Sequence, residues 1–102
     1  MYNIEYLPSF DDDLDAVLTY YELDYMSPQT ADAILNDLDK VAVDLSSYPR
    51  RYPKYLPMLP LHTDYRVLFI KGNAVFYTVE ESTKTVKIMR MLNGHMDFDA
   101  WL

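Results

Sequence analysis

The sequence predicts an α+β fold: an N-terminal strand and an antiparallel helical hairpin packed on one face of a small, mostly antiparallel sheet. Three observations predict it. A short alternating segment opens the chain. Two stretches with apolar residues at steps of three and four come next. Three β-rich runs separated by tight turns fill the second half.

In the opening segment Tyr2, Ile4 and Tyr6 alternate with Asn3 and Glu5, and Pro8 ends the strand. Ser9 is the expected cap of the first helix. Asp11, Asp12 and Asp13 fall in its first turn, where each carboxylate complements the helix dipole by about 0.3–1 kcal/mol. Phe10, Leu14, Val17, Leu18, Tyr21 and Tyr25 then form one apolar stripe over about four turns. The second helix opens at Ser27-Pro28, a cap followed by a proline at the first helical position. Ala31, Ile34, Leu35, Leu38, Val41, Ala42 and Leu45 make its buried face, and the helix stops before Ser46-Ser47-Tyr48-Pro49.

Residues 48–63 contain four prolines and read as a surface connection with one short extended piece. The strands of a meander follow at Asp64–Ile70, Ala74–Glu80 and Lys84–Leu92, with turns at Lys71-Gly72-Asn73 and Glu81-Ser82-Thr83. In the last strand Arg90 is in phase with Val86 and Ile88. Phe98 and Trp101 are the expected anchors of the tail.

Composition narrows the function. The 102 residues suit one domain, 1–102, and half of them are hydrophobic. No stretch is long and apolar enough for a membrane span, and the N-terminus does not read as a signal peptide, so a cytoplasmic protein without a membrane partner is expected. With no cysteine there is no thiol chemistry, and two glycines exclude a phosphate-cradling glycine loop. Neither a metal nor another cofactor is expected. The net charge of −7 is unevenly spread. Residues 1–47 hold eleven carboxylates and one lysine, a balance of −10, whereas residues 48–102 carry +3.

The candidate chemistry therefore lies in the second half. Arg66 and Arg90, on two strands and expected exposed on one sheet face, could cradle a phosphate between paired guanidinium forks. His95, in the turn after the last strand, could move a proton near neutral pH. The segment Tyr48-Pro49-Arg50-Arg51-Tyr52-Pro53-Lys54-Tyr55 alternates cations with rings, a pattern that lets Arg50, Arg51 and Lys54 meet phosphates while tyrosines stack on bases. Tyr77 is a further substrate-side candidate.

Several segments, in order, resemble one known family. They are Tyr20-Tyr21, Leu45…Tyr48-Pro49-Arg50, Tyr65-Arg66-Val67-Leu68, Ala74-Val75-Phe76-Tyr77-Thr78-Val79 and Val86…Ile88-Met89-Arg90-Met91-Leu92-Asn93-Gly94…Asp97. Together they resemble the RelE/ParE toxins of type II toxin–antitoxin modules, also known as plasmid-stabilisation proteins. The resemblance implies the fold predicted above, a cognate antitoxin as partner, and one of three roles. The first is a RelE-like, metal-independent endoribonuclease that cuts mRNA on the ribosome. The second is a ParE-like poison of DNA gyrase, and the third an attenuated member whose main property is antitoxin binding. In the first role Arg66 and Arg90 would neutralise charge on the phosphate and His95 would shuttle the proton. Asn93 stands where the family commonly has a histidine, and His95 falls two positions later.

Overall fold

Pro8 decides where the first helix begins. In a computed structural model of the protein, which describes residues 1–58 and 60–102, β1 spans Asn3–Tyr6 and α1 spans Pro8–Thr19. Proline occupies the first helical position, where its missing N–H costs nothing, so the extended residue before the helix is Leu7 and not the expected Ser9. Ser9 lies inside the helix, and its hydroxyl donates to the Met89 carbonyl at 2.7 Å. A π-helical turn, Tyr20–Asp24, continues α1. Helix α2 runs Pro28–Ser47, and the strands of the meander are β2 (Arg66–Ile70), β3 (Asn73–Glu80) and β4 (Thr85–Asn93). A short helix absent from the sequence reading, α3 (Phe98–Trp101), follows.

The sheet order is β1-β4-β3-β2, antiparallel except where β1 joins β4 in parallel. The expected extended piece of the proline-rich connection lies along β2: the Tyr55 N–H donates to the Tyr65 carbonyl at 2.8 Å and the Val67 N–H to the Pro53 carbonyl at 3.0 Å. Position 59 of that connection lies outside the described residues.

Both sheet faces are covered. On the helical face Phe10, Ile34, Leu38 and Leu45 meet Val75, Tyr77, Val86 and Ile88. On the other, Phe76, Ala74, Leu92 and Tyr65 lie under Tyr55, Phe98 and Leu102, with the Phe76 and Phe98 rings 5.1 Å apart. Residues Ala74–Tyr77 of β3 are accordingly fully buried in an unbroken run, as a strand sandwiched on both sides must be.

Four further expectations fail. The π-turn advances by five residues per hydrogen bond, with the Tyr25 N–H donating to the Tyr20 carbonyl at 2.9 Å. It thereby rotates Tyr25 off the buried stripe and leaves it 64% exposed. Leu35 lies at the rim of the α2 face and is exposed. Trp101 is no core anchor, because its ring stands in solvent beside the Arg90 guanidinium. A β-bulge shifts the β3–β4 register. Tyr77 pairs with Ile88 but Phe76 pairs with Arg90, so Met89 is the extra residue and Arg90 leaves the phase of Val86 and Ile88.

Candidate functional site

Arg66 opens β2 opposite Tyr77, and Arg90 lies opposite Phe76. Consecutive residues of one strand face opposite ways, so the two side chains leave the sheet on opposite faces and not on the shared face expected, and the Arg90 guanidinium reaches back to α1. His95 follows β4 at the end where Asn93 pairs with Asn73. Along β3, Asn73 is four residues from Tyr77, about 13 Å at ~3.3 Å per residue. The structure therefore does not bring Arg66, Arg90 and His95 together.

Each has other local work. The Arg90 guanidinium grips Asp13 of α1 with two parallel bonds, Nε to Oδ2 at 2.7 Å and Nη2 to Oδ1 at 3.0 Å. Its Nη1 donates to the Trp101 carbonyl at 3.1 Å. Asp13 also accepts the Met91 N–H at 3.0 Å, completing a joint between α1, β4 and α3. Both side chains are largely covered (23% and 15% exposed), which corrects the expectation of an exposed Arg90. Asp13 holds the guanidinium pKa above its ordinary value. The His95 side chain is exposed, and its backbone N–H donates to the Asn93 side chain at 2.9 Å.

The proline-rich segment is anchored by Arg66 and Tyr77. Arg66 Nη1 donates to the Tyr52 carbonyl at 2.7 Å and to the Arg50 carbonyl at 3.4 Å. Tyr77 is fully buried, and its hydroxyl donates to the Pro49 carbonyl at 2.9 Å, so it is a post under the loop and not a substrate-facing ring. Burial raises its pKa.

Three of the nominated cations do meet. Arg50, Lys54 and Arg66 line a depression of about 180 Å³ together with Asp64 and Val79. Arg50 is paired with Glu81 at 2.7 Å, and Arg51 points elsewhere, to Asp44 at 3.0 Å. Lys54 has no ion-pair partner among the described residues. Glu81 joins β3–β4 to the N-terminus: it accepts from Lys84, from the Tyr2 hydroxyl and from Arg50. Those three donors, Lys84 foremost, hold its carboxyl down at about 2.

Sequence reasoning missed two features. Asp13 read as one of three dipole-complementing carboxylates, and nothing local marks it as the partner of a residue 77 positions away. The exposed aromatic turn at Tyr20–Asp24 read as regular helix because its apolar spacing is helical on either side.

The geometry defines the fold class as a helical hairpin packed on a four-stranded sheet. Two solved structures share it. "Chromosomal ParDE TA system from P. aeruginosa" superposes with a TM-score of 0.65 at 19% identity, covering 91% of this chain and 96% of that one. A metal-bound toxin from Helicobacter pylori gives 0.60 at 18% identity, covering 91% and 94%. A search of curated protein sequences found no match. The family model for the ParE toxin of the type II toxin–antitoxin system parDE matches residues 4–98, and the chain belongs to that family. It is thus the toxin component of a type II toxin–antitoxin pair.

Proposed function

We propose that this toxin acts on DNA gyrase by surface contact, without cutting RNA, and that a cognate antitoxin silences it in the cytoplasm. The observation that carries this reading is the separation of the three residues: Arg66 and Arg90 leave opposite faces of the sheet at mid-strand, and His95 lies beyond its Asn73–Asn93 end. Cleavage of a ribose–phosphate backbone needs a proton-transfer group and charge-stabilising donors within about 3 Å of one phosphate. Membership of the ParE family supports the same reading. Among the described residues no helix is long and apolar enough to cross a membrane.

One observation favours the endoribonuclease as the second reading: Arg50, Lys54 and Arg66 share a depression in which a phosphate could sit. Induced expression separates the two. Gyrase poisoning leaves mRNA intact while plasmid supercoiling falls and the DNA-damage response rises. The nuclease reading requires cleavage ends within codons on translating ribosomes and unchanged supercoiling. Co-expression of the adjoining antitoxin gene restores growth under either.

A further inference from the structure

The tip of the helical hairpin is built unlike the rest of the molecule. The α-helix gives way to a π-turn at Tyr20–Asp24, a form frequent at functional sites. Met26 then takes φ +52°, a left-handed conformation that suits glycine and is uncommon for a long side chain. Within these seven residues four large apolar side chains stand in solvent: Tyr20 is 47% exposed, Leu23 67%, Tyr25 64% and Met26 78%. The rings of Tyr20, Tyr21 and Tyr25 pack on one another, with centroids 5.2 to 5.9 Å apart. A folding requirement alone would favour a glycine and polar residues at such a turn.

Charge selects the occupant. Glu22 and Asp24 flank the apolar residues, both exposed, and no lysine or arginine precedes Lys40. Carboxylates there repel anionic lipid headgroups and nucleic-acid phosphates. Four exposed apolar side chains gathered within one turn suit an apolar hollow in a folded partner. The tip's rings, packed edge-to-face and tilted on one another, are ordered in advance, which lowers the cost of docking against a folded surface. We infer that the hairpin tip is the toxin's contact with its protein target, seated in an apolar pocket rimmed by lysine and arginine.

The inference deepens the target reading above and rests on it, and one set of variants separates the two. Met26→Gly removes an exposed side chain and relieves the left-handed backbone, so its Tm stays level or rises. Leu23→Ser truncates a second exposed contact. Val43→Ser and Met58→Ser are controls at exposed apolar positions away from the tip. Each purified variant is assayed for Tm, for inhibition of purified gyrase, for growth arrest on expression and for neutralisation by the antitoxin. With the wild type inhibiting gyrase, both tip variants lose inhibition and arrest by about thirtyfold, as truncated hot-spot residues do, with Tm and neutralisation kept and controls unchanged. Tip variants that inhibit within twofold of wild type overturn the inference and leave the gyrase reading standing. A wild type that arrests growth without touching gyrase removes the gyrase reading, and arrest by the tip variants then decides the inference: loss supports it, retention overturns it. Loss of neutralisation with arrest intact assigns the tip to the antitoxin and overturns the inference. So does a wild type inert in both assays, or a loss of activity that tracks a fall in Tm.

Discussion

Arg90 carries the plainest consequence of the geometry. Its fork closes on a largely covered Asp13, which in turn holds the Met91 N–H. Removing one partner of a buried pair strands the other, at 3–5 kcal/mol when burial is complete. Discounted for residual exposure, Arg90→Ala is expected to cost about 2 kcal/mol, and Asp13→Ala a similar amount. Arg66→Ala removes only carbonyl contacts to the loop and costs about 1 kcal/mol. Urea unfolding of the three variants checks the ranking. Equal, negligible losses for Arg90 and Arg66 would contradict the structural role of the Arg90 joint. At this scale the sequence singled out both arginines but not the internal contacts they make. Arg90 is turned to the other sheet face by the bulge at Met89, and a one-residue register shift leaves no trace in apolar alternation.

Strands and helices were more legible than side chains. The alternation at Tyr2–Tyr6, the steps of three and four in both helices and the Lys71-Gly72-Asn73 turn each reflect a strong local preference. The cover on the second sheet face was not legible, because α3 is only four residues long and is held by distant partners. Asp99 is its latch: it accepts the Tyr55 hydroxyl and the Met58 N–H, the latter at 2.8 Å. Burial first, and Asp99 second, push the Tyr55 phenol up to about 12 from an ordinary 10. The folded protein therefore holds that proton more tightly than the unfolded chain. The latch's stabilisation is complete below about pH 10 and is lost as pH rises toward 12. Melting curves across that range should fall more steeply for the wild type than for Tyr55→Phe. Some slope remains in the variant, because burial also raises Tyr77 and Tyr6. Identical slopes would mean that Tyr55 is not ordered against α3. At the Asn73–Asn93 end of the sheet the Gly94 N–H donates to the Gly72 carbonyl at 3.0 Å, and an added Cβ would lie 2.9 Å from that same oxygen. Gly94→Ala should thus force the two turns apart and lower stability by about 1–3 kcal/mol, read as a shift in denaturation midpoint.

Charge is unevenly divided along the chain, −10 over residues 1–47 and +3 over residues 48–102. Acidic helices cover one sheet face, and the cations gather around the loop and strand ends of the second half. That asymmetry was visible in the sequence and pointed to a phosphate-bearing partner. In three dimensions most of those cations are neutralised within the protein: Arg50 by Glu81, Arg51 by Asp44, Lys84 by Glu81, Lys87 by Glu80 and Arg90 by Asp13. A toxin so neutralised should show weak, salt-sensitive affinity for RNA, with few counterions released. Anisotropy titrations with a single-stranded oligonucleotide at two salt concentrations measure this, and a tight complex with a steep salt slope would argue for the endoribonuclease.

Toxicity through a protein target, without RNA cleavage, can be read with purified components. Relaxed plasmid, DNA gyrase and ATP are incubated with increasing amounts of the toxin, and the products are resolved on a gel. A dose-dependent loss of supercoiling with trapped, cleaved DNA–gyrase complexes is expected, reversed by the antitoxin. Full supercoiling at a large molar excess of folded toxin, together with codon-positioned mRNA cleavage on translating ribosomes, would contradict the gyrase reading.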